Sequence, residues 1–269
     1  MSRSRQTSLP AIAFPDAGIT PVPDGGADTS EAPDISVVVP VYNERECLPE
    51  LIDEVEFALA STGLRYEIIL VDDGSTDGSA DWIRERSRGS RAIIGVIFEK
   101  NAGQSAAVTA GLKFARGAIV VTLDADGQND PADIPSLLAK LEGADVVSGV
   151  RADRRDGWKR LVSSRIANGV RRAVLGDTLT DIGCSLKVYR REVLEGLPTF
   201  VGVHRFLPAL CQFRGARVVE VPVRHRPRTK GVSKYGVGNR LWRGIRDLYG
   251  VLWLRARLLQ YRIREVTHE

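Results

Sequence analysis

The chain has few of the residues that build metal clusters, disulfide frameworks or membrane spans. Of its 269 residues only three are cysteine and three are histidine. Cys47, Cys184 and Cys211 are scattered and odd in number, matching neither a disulfide framework nor a zinc-ligand spacing. A reducing cytosol is the plain reading of such usage. His204, His225 and His268 make no metal-ligand pair. No apolar run reaches the roughly 18 residues that a bilayer span needs. The nearest, Leu248 to Leu259, is broken by Arg255 and Arg257. Ala11 to Phe14 is too short for a signal-peptide core, and no cleavage pattern follows it. There is no GxxxxGKS/T loop and no GxGxxG after the first apolar run, which disfavours a P-loop NTPase and an ordinary dinucleotide enzyme. A GxSxG elbow is also missing, which disfavours a serine hydrolase.

What is present divides unevenly along the chain. Residues 1–33 are rich in Ser, Pro, Gly, Asp and Ala without periodicity, and read as a disordered tail. From Asp34 the pattern becomes regular. The β-branched run Ile35 to Val41 predicts a buried parallel strand, and Leu48 to Leu59 an amphipathic helix. Further strands are expected at Tyr66 to Val71, Ala92 to Phe98, Ala118 to Leu123 and Ala144 to Ser148. Helices are expected after the DGSTDGS loop (capped by Thr76 or Asp77), at Gln104 to Ala115 and at Ile134 to Leu141. This alternation predicts an α/β domain over 34–239, its mostly parallel sheet covered by helices on both faces. The later pattern is less regular. A helix is expected over Trp158 to Leu175, a strand at Cys184 to Tyr189, a helix at Phe206 to Phe213 and a strand at Arg217 to Val223. A basic, Gly-rich loop follows over 226–239, then an amphipathic basic helix within 240–269, from Leu241 to about Ile263.

Charge follows the same division. Residues 1–150 hold 12 Lys+Arg against 24 Asp+Glu, and residues 151–269 hold 26 against 10, giving the whole chain +4. The acidic half offers candidate metal ligands. The basic half suits an anion: nucleic acid, a phospholipid leaflet or a phosphorylated substrate.

In open α/β sheets ligands bind at the carboxyl ends of the strands, and polar residues collect there. Tyr42, Asn43 and Glu44 follow the first strand, Asp72 and Asp73 the second, Lys100 and Asn101 the third, and Asp124, Asp126 and Gln128 the fourth. In LDADGQ the spacing lets Asp124 and Asp126 share one cation, with Gln128 as a further oxygen donor. Hard oxygen ligands suit Mg²⁺ or Mn²⁺ bridging a diphosphate, where the cation neutralises charge on a leaving group.

VVVPVYNE, LVDDGSTDGS, NAGQSAAVTAGL and LDADGQ, in this order, resemble family 2 glycosyltransferases. DIGCSLKVYRREVL and HRPRTKGVSKYG extend the likeness to the polyprenyl-phosphate glycosyltransferases, the group that includes dolichol-phosphate mannosyltransferase. Together they cover about Asp34 to Gly250. The resemblance implies a GT-A fold and metal-dependent inverting transfer from a UDP- or GDP-sugar to a polyprenyl phosphate. It puts Pro40, Tyr42, Asn43 and Glu44 at the nucleotide pocket and Asp73 near the base or ribose; Asp72 and Lys100, at the ends of the second and third strands, are read as binding residues of the same site. Asp124, Asp126 and Gln128 go to metal and diphosphate. Arg151, Arg165 and Ser185 go to the acceptor phosphate, and Arg228, Ser233 and Lys234 to a loop over the donor phosphates. Cys184 and Leu186 depart from the Gly and Phe positions of that pattern around Ser185.

A lipid monophosphate, with a second pKa of about 6, attacks without a protein base; it needs cations, and arginine forks fit phosphate. Asp181 then serves to orient an arginine, the alternative being a general base toward a sugar hydroxyl. Leu241, Trp242, Tyr249, Leu252 and Trp253 suit a membrane interface on an anionic leaflet. The expected place is the cytoplasmic membrane face, held peripherally without a transmembrane helix. A homodimer through the terminal helix is compatible with the same stripe, and no nucleic-acid partner is expected. The competing readings are transfer to a hydroxyl of a glycan or glycolipid, and a non-catalytic basic membrane- or nucleic-acid-binding module on the same fold.

Overall fold

The structure, a computed structural model, describes residues 32–151, 169, 176–227, 247–254 and 256–257. Seven strands form one sheet: β1 (Ile35–Val41), β2 (Tyr66–Asp72), β3 (Ile93–Ile97), β4 (Ile119–Thr122), β5 (Val146–Arg151), β6 (Lys187–Arg190) and β7 (Val218–Val223). Their order is β3-β2-β1-β4-β6-β5-β7. β1 to β4 are mutually parallel, β6 runs against both β4 and β5, and β7 is parallel to β5. The sheet is therefore mostly parallel, with one reversal.

Helices α1 (Leu48–Ala60), α2 (Ser79–Arg88), α3 (Gln104–Phe114), α4 (Ile134–Ala139) and α5 (Val203–Phe213) cover it. The period of two in β1 explains how both faces are filled. Ile35, Val37, Val39 and Val41 pack with Leu48, Ile52 and Val55 of α1, Ile83 of α2 and Leu137 of α4. Val38 faces the other way, with Val108 of α3 and Phe206, Leu207 and Leu210 of α5. Each such side chain contributes about 1.5–3 kcal/mol when fully buried. Gly111 lets α3 lie close on this face, because a Cβ there would run into the Val38 side chain. The helical segment 247–254 buries Val251 in the second cluster, where Leu248, Leu252 and Leu254 also pack. Arg205 ties it to α5 through Asp247 (2.6 Å).

Several boundaries differ from the sequence expectation. α2 is capped by Gly78, at φ +89°, and not by Thr76 or Asp77. Asp77 still accepts the Ser79 N–H at 3.0 Å, so it satisfies a first-turn donor from one residue further back. β5 starts two residues late and runs to Arg151, because β7 pairs with it along that length. β6 begins only at Lys187, since residues 181–186 turn to fill the site. α5 starts at Val203 and carries Pro208 inside it. The helix expected over 158–175, apart from Gly169, and the loop at 228–239 lie outside the described residues. Of the terminal helix expected over 241–263, the described part is helical at 247–254.

Candidate active site

Parallel packing of β1 to β4 brings four loops to one rim, and hydrogen bonds knit them together. Asn43, the only described non-glycine residue at positive φ (+53°), turns the chain after β1. Its side-chain Oδ1 accepts the Thr76 N–H (2.7 Å), and its main-chain N–H reaches Ser75 Oγ (2.8 Å). Asx side chains tolerate this conformation because they bond locally. Glu44 is buried, with its N–H donated to Ser79 Oγ (3.2 Å). Pro40 and Tyr42 are half-buried beside it.

Asp73 fixes the next loop. It accepts the N–H of Ala102 (2.6 Å) and of Gly103 (2.9 Å) and the Asn101 amide (2.9 Å). Burial pushes its carboxyl above the usual range, and those N–H donors oppose the shift. Gly74 permits the crossing: at φ +69°, any Cβ would sit 2.5 Å from Asn101 N. Lys100 is exposed on the same loop. Asp72 is 1 % exposed; one carboxylate oxygen accepts Ser75 N–H (3.0 Å), and the other is buried with no partner among the described residues. A cavity of about 570 Å³ opens beside it, lined also by Thr76, Arg84, Ile97 and Phe98. Asp124 and Asp126 lie outside that lining.

Asp124 leaves the end of β4 flanked by three groups. Gln104, the first residue of α3, donates its amide to the Asp124 carboxylate at 2.7 Å. Ser185 Oγ accepts the Asp124 N–H (3.2 Å) and the Asn129 amide (2.6 Å). Burial, and then the charge of Asp126, push the Asp124 carboxyl up to about 6. A divalent cation relieves that repulsion. Among the described residues no group of three His, Cys, Asp or Glu side chains could hold a metal. Two carboxylates without a full cage fit Mg²⁺ or Mn²⁺, which commonly keep water and substrate phosphate oxygens as their other ligands. Gln128 contributes main-chain bonds here: its N–H goes to Asp126 (3.1 Å), and its carbonyl accepts Arg226 N–H (2.7 Å).

Beyond the sheet reversal the chemistry changes sign. Arg151, at the end of β5, forms a two-pronged pair with Asp181, both bonds 2.8 Å long, with side chains 19 % and 7 % exposed. Both Asp181 oxygens are engaged, which matches an orienting role better than a base. Ser185, expected on this acceptor side, has its hydroxyl committed to the Asp124 loop instead. Arg165, Arg228, Ser233 and Lys234 lie outside the described residues. Three residues at the site were not anticipated. Gln104 was hidden in a helix pattern and Asn129 in a loop, and Lys187 looked like a strand residue. The one available signal was the place of Gln104 as the first residue after the third strand's loop.

The strand order and the mostly parallel sheet agree with the family comparison. Residues 36–197 match the family model described as glycosyl transferase family 2. The chain belongs to that family, and its fold is GT-A. It is 43% identical over 206 residues to undecaprenyl-phosphate 4-deoxy-4-formamido-L-arabinose transferase of Edwardsiella ictaluri (strain 93-146), covering 76% of this chain and 63% of that one. The chain thus spans less than two thirds of that curated relative's length. Glucosyl-3-phosphoglycerate synthase from Mycobacterium tuberculosis, in complex with Mn²⁺, UDP and glucosyl-3-phosphoglycerate, has the same fold. Its TM-score is 0.61 at 23% identity, over 85% of this chain and 81% of that one. The same enzyme with Mg²⁺ and UDP gives 0.61 at 24%, over the same shares.

Proposed function

We propose that the protein transfers a sugar, with inversion, from a UDP- or GDP-sugar to a polyprenyl phosphate at a membrane surface on the cytoplasmic side. The observation that carries this is the presence of two charge centres on one sheet: the neighbouring carboxylates Asp124 and Asp126, and the partly buried Arg151–Asp181 clamp. The Edwardsiella relative, an undecaprenyl-phosphate 4-deoxy-4-formamido-L-arabinose transferase, supports the acceptor class. Bound Mg²⁺ or Mn²⁺ supplies charge neutralisation for the departing diphosphate.

The chain's own residues do the rest. Pro40, Tyr42, Asn43 and Glu44 hold the nucleoside, with Asp72 on the neighbouring strand end. Asp73 acts by fixing the 101–103 loop, and Lys100 stands at its exposed edge. Arg151, oriented by Asp181, holds the acceptor phosphate, joined by Arg165; Arg228, Ser233 and Lys234 serve the donor phosphates, with the Gln128 side chain at the metal. A phosphate oxygen attacks the anomeric carbon on the face opposite the nucleotide. The new C–O bond forms as the bond to the diphosphate breaks, and the nucleoside diphosphate leaves. The acceptor is already an oxyanion, so no proton need be removed.

Membrane contact falls to the 247–257 region. Among the described residues no helix is long and apolar enough to cross a bilayer. Leu252, expected at the interface, packs on the core, whereas Tyr249 and Trp253 are 73% and 56% exposed, one helical turn apart. Arg257 lies over the Trp253 ring at 4.9 Å. An aromatic pair with a cation suits the headgroup zone of an anionic leaflet.

The test is transfer of radiolabel from a panel of UDP- and GDP-sugars, with Mg²⁺ or Mn²⁺, into short-chain polyprenyl phosphate. Label in the organic phase with one donor is the expected result. Metal-dependent donor hydrolysis without lipid product would move the acceptor to a hydroxyl. No turnover and no nucleotide binding would leave a non-catalytic module.

A further inference from the structure

Lys187 is a buried cation that the proposed mechanism leaves unused. It is 2 % exposed and lies on β6, in register with Thr122 of β4 and Ser148 of β5. Asp124 is two residues beyond Thr122, and Arg151 three beyond Ser148, so the lysine sits where the two charge centres meet. Among the described residues no carboxylate forms an ion pair with it. Its ammonium donates to two main-chain carbonyls, Ile182 O and His204 O, each at 3.4 Å.

The second of these acceptors has a specific origin. Pro208 has no N–H, so the carbonyl four residues earlier, that of His204, loses its helical partner. The Lys187 ammonium takes its place. The fold thus breaks a helix bond in α5 and fills the gap with a buried cation, beside Ile182 and hence beside Asp181. The His204 ring is itself held by Ser105 (2.8 Å), the neighbour of Gln104, which grips Asp124. Burial pulls the lysine's pKa down, while Cys184, Asp124 and Asp181 act to raise it and Arg151 to lower it.

A purely structural role explains this poorly. Taking an ammonium without a paired carboxylate out of water costs several kcal/mol, and two long carbonyl bonds compensate it weakly. We infer that Lys187 is a positioning residue shared by both halves of the site. Its fixed charge opposes a divalent cation that arrives at Asp124 and Asp126 alone, and favours the cation when it comes with a nucleotide diphosphate. This rests on the metal-dependent reading above and extends it to the order in which the site loads.

The prediction is a pair of opposite shifts, which loss of structure cannot mimic. In Lys187→Met, Mn²⁺ alone, followed by electron paramagnetic resonance, binds more tightly by about tenfold. UDP or GDP binding in the presence of Mn²⁺, followed by calorimetry, weakens by a similar factor of about ten. Lys187→Gln keeps an N–H donor for the carbonyls without the charge, and shows the same two shifts. Parallel weakening of both ligands in either variant, or wild-type behaviour in Lys187→Gln, would overturn the inference. Wild-type protein that binds neither Mn²⁺ nor nucleotide would instead remove the reading on which it rests, and the inference with it.

Discussion

The half of the sheet built from β1 to β4 and the half built from β5 to β7 solve opposite electrostatic problems. In the first, carboxylates gather. Asp72, Asp73, Asp124 and Asp126 are brought to one rim, and N–H donors from neighbouring loops hold Asp73 and Asp124 there. In the second, cations are fixed: Arg151 by the two oxygens of Asp181, and Lys187 by two carbonyls. The reversal at β6 is where one regime meets the other. A parallel array delivers successive loops to one end and so concentrates like charge, which the proposed metal would neutralise. An antiparallel insertion places a side chain such as Lys187 between such groups.

The contrast can be broken from either side. The largest effect is expected at the acidic rim. Asp126→Ala removes one of two carboxylates from the cation and lowers metal-dependent turnover by about a thousandfold, with an unchanged circular dichroism spectrum. Unchanged turnover would remove the metal assignment. On the cationic side, Arg151→Met takes the guanidinium away from the buried Asp181 carboxylate, costing about 3–5 kcal/mol in urea unfolding. Adding Asp181→Leu recovers most of that stability and none of the acceptor affinity. Full recovery of acceptor affinity would show the pair to be structural only.

A smaller change is expected at Gln104. Gln104→Leu frees the Asp124 carboxylate and weakens Mn²⁺ binding about 10–100-fold, while the melting temperature moves little. A lower melting temperature with unchanged Mn²⁺ binding would reduce the bond to a tie between α3 and β4. The smallest effect concerns the joint between the halves. Burial, aided by Arg205 and Lys187, pushes the His204 imidazole down to about 3. The unfolded chain therefore binds a proton near pH 6.5 that the folded chain refuses until about pH 3. The resulting stability is fully present above pH 6.5 and falls on acidification through that window, by at most about 1.4 kcal/mol per pH unit. His204→Asn should flatten the slope; an unaltered slope would place the acid sensitivity elsewhere.

The two halves were also unequally legible. β1 is a run of β-branched residues with one burial pattern available to it, so its place and its parallel partners followed from sequence. The neighbouring carboxylates of Asp124 and Asp126, proposed for the metal, were legible because LDADGQ ends a buried strand. Lys187 was not, since nothing local distinguishes a buried lysine from one snorkelling at an edge; its burial depends on β5 and β6 pairing from distant parts of the chain. The Gln104 contact likewise needs the 101–103 loop to be folded by Asp73 first. The bonds that Ser185 Oγ accepts from Asp124 N–H and the Asn129 amide were not legible either, both partners lying more than 50 residues away in sequence. The antiparallel direction of β6 was invisible because its four residues carry no directional pattern.

The most direct test of the division between a metal-carboxylate half and a phosphate-binding half compares two acceptors that differ only in the phosphate. Transfer from the active nucleotide-sugar is measured to a short polyprenyl phosphate and to the matching polyprenol, with Mn²⁺ present. The account predicts product from the phosphate alone, lost on chelation of the metal. Equal transfer to the free alcohol would contradict it, and would return Asp181 to the role of a base.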